Sequence, residues 1–492
     1  MFVDDNDKLV LEHFFTNADK PTFALKNMHP SVQNYIYTGI SRFPDMRERF
    51  LKILKDKGAF EKTLEAIRRG TDDPMAGLIG HVAERNRAMY FDMKHGSSAE
   101  GGSVLVVSEN NPLYATEDQQ DFYWPMTTME TSTRYSKKFD ISRVYWEPTL
   151  MKSEFAEEVK DIITRNFALY EDGFEPVMEA VKERLKNAEL NATISALDSL
   201  RTCIPLVAYT TIVLGGNTRA TLEHFRKMLA SKDNFIKEYT SNALNELSKV
   251  FPSFYDGLQP DPHVIERNRR LREYAEGLFG RKFEHVREDV RLFYNVPPEE
   301  QALAQILYSH VTVPFEAVLN KMSGFTENEK AELFGLATLG RENRRNPVRG
   351  FETRHLIYEI ESSWSLWKDF KRNRMNLRFQ QDMRGLAGWA TPDMVAQSSI
   401  TKEYEEAQKA TSNLMERIYD KYGGLARAAA TQGSRKRYLL CMGPRQLTVL
   451  GELRTCGEGD RGYRKIASRM IELAKEQNPR LFGHITDNYK SR

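Results

Sequence analysis

Residues 201–219, RTCIPLVAYTTIVLGGNTR, place an arginine before a run of β-branched and aromatic side chains and an Asn-x-Arg triplet after it. The run Cys203–Leu214 predicts a buried strand, and the residues that follow the triplet have the spacing of a helix. Residues 427–445, RAAATQGSRKRYLLCMGPR, repeat this order of an arginine, a short strand and a helix. The outer arginines of the second stretch follow those of the first by 226 positions, which is close to half of the chain.

A second pair of stretches supports an internal duplication. METSTRY, residues 129–135, and FQQDMRG, residues 379–385, align around Arg134 and Arg384 at an offset of 250 positions. Two pairings in the same order predict that the chain contains two diverged copies of one domain. Both halves mix helices with few strands, so the predicted fold class is α+β, with small antiparallel sheets.

The predicted linker between the copies is FPSFYDGLQPDP, residues 251–262, because its prolines and glycine favour turns. The first copy is predicted over residues 1–255, including an N-terminal helical extension, and the second, more diverged copy over residues 263–492. Within the extension, residues 45–69 have apolar side chains at helical spacing, and Gly70 is a suitable helix end.

Composition excludes several classes of protein. The chain has 492 residues, of which 40% are hydrophobic and 28% charged, with a net charge of +2. Such a balance gives no general attraction to nucleic acid or to membranes. Three scattered cysteines do not form a disulfide framework or a zinc site. No signal peptide and no long apolar run is recognisable, so we expect a cytoplasmic protein without a membrane span.

The residues around the repeated arginines resemble the motif of the flavin-dependent thymidylate synthase family. That motif is an Arg-His-Arg triplet, seven residues, a serine and, two positions later, an arginine. The second copy has Arg372, Asn373 and Arg374 as the triplet, followed by Asp382 and Arg384.

The first copy resembles the other half of the same motif. Its triplet is Phe122, Tyr123 and Trp124, but the later part matches in Glu130, Ser132 and Arg134.

Two further motifs extend the resemblance to roughly residues 90–260 and 350–490. KHGSSAE, residues 94–100, matches a family stretch with histidine, serine and glutamate. The first copy also has the family's Arg-x-x-x-Pro and Asn-x-Arg pattern, of which the second copy keeps the arginines Arg427 and Arg445 but has Gly443 for the asparagine. The residues that match these motifs are His95, Ser97, Glu100, Arg201, Asn217, Arg219, Arg427, Arg445 and, in the last helix, Arg454.

The resemblance implies a methyltransferase that converts dUMP to dTMP with methylenetetrahydrofolate, FAD and NADPH. These ligands are anions, and arginine binds phosphate oxygens through paired donors. The implied catalytic residues are Arg372, Arg374 and Ser132. The implied substrate-binding residues are Glu130, Ser132, Arg134, Arg201, Arg384, Arg427 and Arg454. The implied cofactor-binding residues are His95, Ser97, Glu100, Asn217, Arg219, Arg372, Asn373, Arg374 and Arg445.

The departures from the motif suggest a composite site. Neither copy has a complete motif, because Asn373 replaces the histidine and Asp382 replaces the serine. Members of the family build their sites where subunits of a tetramer meet. We therefore expect the triplet of one copy to be combined with the serine-arginine segment of the other, in a homodimer that forms a pseudo-tetramer.

Two alternatives remain open at this point. One is a catalytically degenerate relative that binds a nucleotide or flavin or has a structural role, since the missing histidine and serine weaken the motif. The other is a helical nucleic-acid-binding protein that uses the basic segments 268–272 and 341–349, and the near-zero net charge argues against it.

Overall fold

The chain was analysed as a computed structural model. The residues that the structure describes are 4–39, 45–71, 74–93, 96–121, 126–133, 142–185, 189–286, 288–341, 347–373, 375–457 and 460–490. Across these ranges, no helix is both long and apolar enough to span a membrane.

Many helices and a few short strands make up the described residues, and the predicted α+β fold class is confirmed. The helices are α1 Asp5–Phe14, α2 Pro30–Gly39, α3 Met46–Asp56, α4 Phe60–Arg69, α5 Ala76–Arg87, α6 Thr116–Gln119, α7 Pro148–Met151, α8 Ala156–Asp172, α9 Phe174–Leu185, α10 Glu189–Leu200, α11 Thr218–Leu229, α12 Asn234–Val250, α13 Pro252–Tyr255, α14 Pro262–Phe279, α15 Pro298–Tyr308, α16 Phe315–Ser323, α17 Glu327–Ala337, α18 Trp364–Phe370, α19 Asp393–Ala396, α20 Thr401–Tyr422, α21 Pro444–Thr455, α22 Arg461–Gln477 and α23 Pro479–Phe482. The strands are β1 Ser103–Pro112, β2 Thr127–Glu130, β3 Tyr209–Asn217, β4 Val290–Tyr294, β5 Leu356–Ser363, β6 Leu377–Gln380 and β7 Arg435–Met442.

Two of the predicted elements differ from the observed ones. The helical pattern over residues 45–69 forms two helices, α3 and α4, because Gly58 between them has a positive φ of 62°. The strand predicted from Cys203 begins only at Tyr209. The residues before it form a short 3₁₀ turn ending at Cys203, and Pro205 has no amide hydrogen to continue a ladder.

The chain divides into two compact units that are built from interleaved segments. The first unit contains Met1–Val107, Phe122–Met129 and Val213–Asp261, and the second contains Ser108–Asp121, Glu130–Ile212 and Pro262–Arg492. The limits of the units fall within β1, β2 and β3. This division describes packing and not ancestry, so the copy boundaries at residues 255 and 263 stay a prediction.

The first unit has an apolar core among its N-terminal helices. Helices α1 to α5 contribute residues such as Phe14, Phe50 and Leu78, which are fully buried. This core explains why the N-terminal extension folds, because the apolar face of each helix is covered by its neighbours.

The second unit contains an antiparallel sheet in the order β4-β5-β7-β6. All eight residues of β5 are buried. One face of the sheet, which includes Ile357 and Leu439, packs in the same core as Leu303 and Phe315 of helices α15 and α16. The sheet therefore holds the turn that leads from β5 into α18 on a rigid base.

The strands of the first copy follow the same pattern as those of the second. They form a sheet in the order β1-β3-β2, which corresponds to β5-β7-β6. Within the second unit, Pro205 and Thr431 form an antiparallel bridge, and these two residues are 226 positions apart. The two copies thus meet at matching residues.

Candidate functional site

The candidate site lies around α18. This helix begins with apolar residues, and its later residues include charged side chains that are buried in the protein. Trp364 and Lys368 are four positions apart and therefore lie on the same face of α18. Lys371, the residue directly after the helix, continues this face three positions later. The two lysines are almost fully buried, as is Asp369. Because an unpaired buried charge is costly, each of these groups needs a partner.

Glu130 at the end of β2 is the partner of both lysines. Its carboxylate oxygens lie 2.8 Å from Nζ of Lys368 and 3.4 Å from Nζ of Lys371. The amide of Gln120 donates a further hydrogen bond of 3.0 Å to it. Burial acts to raise the pKa of the Glu130 carboxyl, but the ammonium groups of Lys368 and Lys371 outweigh this effect and lower the pKa to about 2. Glu130 is therefore ionised at neutral pH.

Lys371 is held from several sides. Its ammonium group donates to the hydroxyl of Thr116 and lies 5.2 Å from the centre of the Trp364 ring. Burial lowers the pKa of Lys371 from its ordinary value of 10.5 to about 8, although the carboxylates of Glu130 and Glu117 act in the opposite direction. Burial also lowers the pKa of Lys368. Lys371 can thus change its protonation state close to physiological pH.

A second ion pair completes this arrangement. Glu117 accepts hydrogen bonds from Lys436, at 2.8 Å, and from the indole of Trp364. We call Glu117, Glu130, Lys368, Lys371 and Lys436 the lysine cluster. It contains three buried ammonium groups and two buried carboxylates, so the fully ionised cluster carries one excess positive charge.

Arg201 lies in an adjoining network of carboxylates. Its guanidinium group, with a side chain only 1% exposed, is 3.0 Å from Asp369 and 2.9 Å from Asp460. Asp198 is 4.0 Å away. Burial acts to lower the pKa of Arg201, but the carboxylates, Asp369 first, outweigh it and raise the pKa. Its charge is therefore balanced within the protein. Arg454 donates to the backbone carbonyl of Asp369 at 2.7 Å.

Arg372 follows Lys371 and is exposed. It is close enough to act on both networks, because it contributes to lowering the pKa of Glu130 and of Asp369. Among the residues predicted from sequence, the structure thus brings together Glu130, Arg201, Arg372 and Arg454 around α18. The partly buried residues Ser132 and Asn373 lie close to this group in sequence, two positions after Glu130 and directly after Arg372.

Three other predicted arginines of the second unit lie elsewhere. Arg384 binds Glu416 and donates to the carbonyl of Arg281 at 2.7 Å. Arg427 binds Asp118 at 2.8 Å and lies over the ring of Tyr114. Arg445 is exposed in the first turn of α21. Their roles toward a substrate or cofactor stay predictions.

Three of the predicted flavin-side residues of the first unit, Glu100, Asn217 and Arg219, have local partners. Arg219 pairs with Glu100 at 2.5 Å. The side chain of Asn217 caps α11 by accepting from the amide of Ala220 at 2.8 Å. Ser97 belongs to the short 3₁₀ helix Gly96–Ala99. A cofactor role for these residues stays a prediction.

Some predicted residues lie outside the described part of the chain. They are His95, Arg134, Arg374 and the first-copy triplet Phe122, Tyr123 and Trp124.

The sequence interpretation missed the two lysines and the aspartates Asp369 and Asp460. A signal was present for the lysines, since Lys368 and Lys371 recur with Trp364 at helical spacing, on a face that an amphipathic helix would bury. The partner of the lysines, Glu130, is more than 200 positions away, and no local pattern connects them.

Comparison with known proteins identifies related sequences. A sequence profile described as "Thymidylate synthase complementing protein" matches residues 60–253 and 302–480. A UPF0159 protein from Chlamydia muridarum is 25% identical over 493 residues, which cover 95% of this chain and 91% of the relative. A UPF0159 protein from Thermoplasma acidophilum is 23% identical over 476 residues, covering 87% of this chain and 94% of the relative. The two profile matches agree with the predicted tandem arrangement.

Proposed function

We propose, because the chain belongs to the thymidylate synthase complementing protein family, that it is an FAD-dependent thymidylate synthase. It would methylate dUMP to dTMP with methylenetetrahydrofolate as the carbon donor and NADPH as the reductant. The observation that best supports this proposal is that Glu130 of the first family region forms ion pairs with Lys368 and Lys371 of the second, directly before Arg372. Each copy thus contributes the part of the motif that the other has lost.

The charges of this centre fit an anionic ligand. The lysine cluster has one excess positive charge, and exposed Arg372 presents a guanidinium group beside it. Such a group binds phosphate oxygens with paired donors and keeps its charge when water is removed. This donor set suits the phosphate of dUMP or the diphosphate of FAD. When bound, reduced FAD supplies the hydride of the reaction.

The residues of the chain have a positioning role in this proposal. Glu130 and the lysines fix the backbone at the end of α18, so that Arg372 is held in place before a ligand arrives. A preorganised cation loses little conformational freedom on binding, which favours affinity. Ser132, two positions after Glu130, would add a neutral donor to the same phosphate.

A second candidate is supported by the carboxylates of the site. Arg201 is enclosed by Asp369 and Asp460, so it has little free charge for a substrate. Asn373 and Asp382 replace the histidine and serine of the family motif. These features favour a degenerate relative that binds a nucleotide or flavin without the methylation reaction.

The absorbance spectrum and a thermal melt of the purified chain separate the two candidates. Retention of a visible flavin band after desalting, stabilisation by dUMP in preference to other monophosphates, and formation of dTMP with all cosubstrates would support the synthase. Retention of flavin or nucleotide without dTMP formation would support the degenerate relative. A protein that keeps no flavin and gains no stability from dUMP would contradict the synthase proposal.

A further inference from the structure

The two copies can be matched residue by residue around α6 and α18. Leu113 donates its amide hydrogen to the carbonyl of Ala208, and Trp364 donates in the same way to Ser434. The acceptors are 226 positions apart, as are the bridged residues Pro205 and Thr431. The beginning of α18 thus corresponds to the turn that leads into α6, at an offset of 251 positions.

The ion pairs follow the same correspondence. At this offset Asp118 of the α6 region matches Asp369 of α18. Arg201 binds Asp369 at 3.0 Å, and Arg427, which is 226 positions after Arg201, binds Asp118 at 2.8 Å. Each arginine therefore pairs with the aspartate of the other copy. The duplication has produced two corresponding places in the second unit, one at each of these helices.

The matching side chains of the α6 and α18 segments differ sharply in charge. Lys368 and Lys371 of α18 correspond to Glu117 and Gln120 of α6. At the same offset Arg372 corresponds to Asp121, a carboxylate. Three cations of the α18 segment thus match two carboxylates and an amide of the α6 segment. In addition, Glu117 is already paired with Lys436 at 2.8 Å.

Of these two corresponding places, the structure assigns phosphate binding to one, the end of α18, with Arg372 as the contacting residue and Lys368, Lys371 and Glu130 as positioning residues. The corresponding place at α6 has become part of the scaffold. The identity of the ligand as a nucleotide phosphate rests on the proposed function, but the number of sites and their location rest on the comparison of the two copies.

The division of roles follows from exposure. The side chains of Lys368 and Lys371 are each 1% exposed, so they act on a ligand through their charge and through Glu130 rather than by contact. Arg372 is exposed and can reach the ligand directly. The matching positions of the α6 segment carry no cation, and its Glu117 is already paired with Lys436 inside the lysine cluster.

Calorimetric titration of the full chain with dUMP, and separately with inorganic pyrophosphate, tests this assignment. We expect one equivalent of either ligand per chain, with the two ligands competing. Arg372→Gln should weaken both by roughly tenfold to a hundredfold, the range for a hydrogen bond to a charged group. Arg372→Lys should recover part of the loss. Arg480→Gln, which removes an exposed arginine from the same unit, is the matched control and should leave binding unchanged.

The outcomes separate this inference from the proposed function. Two equivalents of pyrophosphate per chain, no binding of pyrophosphate, or unchanged binding in Arg372→Gln would each overturn the single site. One equivalent that is lost in Arg372→Gln, without preference for dUMP over other monophosphates, would support the single site and contradict the thymidylate synthase proposal.

Discussion

Arg201 binds Asp369 of the other copy at 3.0 Å, and the side chains of both residues are buried. The corresponding Arg427 repeats this exchange with Asp118 at 2.8 Å, but that pair is partly exposed. The pairing of an arginine with the aspartate of the other copy therefore occurs twice, once with buried side chains and once with partly exposed ones. The duplication therefore allows the loss of a buried arginine with several carboxylate partners to be compared, within one protein, with the loss of a partly exposed arginine.

Arg201→Met should destabilise the second unit strongly. The substitution leaves Asp369 and Asp460 buried without their cation, and removal of one partner of a buried pair typically costs about 3–5 kcal/mol. The measurement is the free energy of unfolding from urea denaturation, followed by circular dichroism.

Arg427→Met is the matched control for this experiment. Its pair with Asp118 has side chains that are 18% and 32% exposed, so water screens the charges. We expect a loss of about 1 kcal/mol or less. Equal losses in the two variants would show that burial does not distinguish the two pairs.

Glu130→Gln should also destabilise the chain, because Lys368 and Lys371 would face each other without a carboxylate. We expect a loss of about 3–5 kcal/mol near neutral pH. In the native chain the pKa of Glu130 is lowered from 4.5 to about 2. The stability contributed by its charge is therefore present above pH 4.5 and is lost as the pH falls from there toward 2. Urea denaturation between pH 3 and pH 7 measures both effects.

Glu299→Gln provides the control for Glu130→Gln. It makes the same chemical change in an exposed carboxylate that lies 3.9 Å from Lys330. Its expected cost is below about 1 kcal/mol. A native-like stability of Glu130→Gln across this pH range would contradict the assignment of Glu130 as the counter-ion of the lysines.

The fold class and the repeat could be predicted from sequence because both rest on periodic or recurring patterns. The alignment of Arg201 with Arg427 at 226 positions reappears as the bridge between Pro205 and Thr431. Strand β6, at the predicted offset of 250, corresponds to β2 in the sheet order as well.

The charge balance of the site could not be predicted in the same way. The family resemblance assigns arginines such as Arg201 to substrates, yet its partners Asp369 and Asp460 are 168 and 259 positions away. Ion pairs between distant segments depend on tertiary packing, which leaves no local signal. For the same reason Lys368 and Lys371 were not recognised as partners of Glu130.

The three cysteines should differ in reactivity in the native chain. Cys203 and Cys441 are buried, and burial raises the pKa of both thiols, whereas Cys456 is exposed. Since the thiolate is the reactive form, Cys456 should react rapidly with Ellman's reagent and the other two only after denaturation. Rapid reaction of more than one thiol in the folded chain would contradict this arrangement.

Lys371 gives the phosphate site a pH dependence that can be measured directly. Burial lowers its pKa to about 8. The charged groups that act on it are Glu130 from β2, Glu117 from α6 and Lys368 from its own helix. In the unliganded chain, Lys371 therefore loses its proton as the pH rises through about 8, while the unfolded chain keeps the proton up to about 10.5. The cost of burying this charge is relieved in that interval, so its contribution to stability rises with pH.

A bound phosphate reverses this tendency, because a nearby negative charge favours the ammonium form and raises the pKa of Lys371. Binding of pyrophosphate at pH 8.5 should therefore be accompanied by uptake of a fraction of a proton, and affinity should fall as the pH rises above 8. Titration calorimetry in two buffers of different ionisation enthalpy measures the uptake. Lys371→Met removes the titrating group but leaves the protonation of the ligand itself unchanged, so the difference between the two proteins isolates Lys371. Equal proton uptake by both proteins would show that the phosphate does not act on Lys371, and the site would then have to lie away from the end of α18.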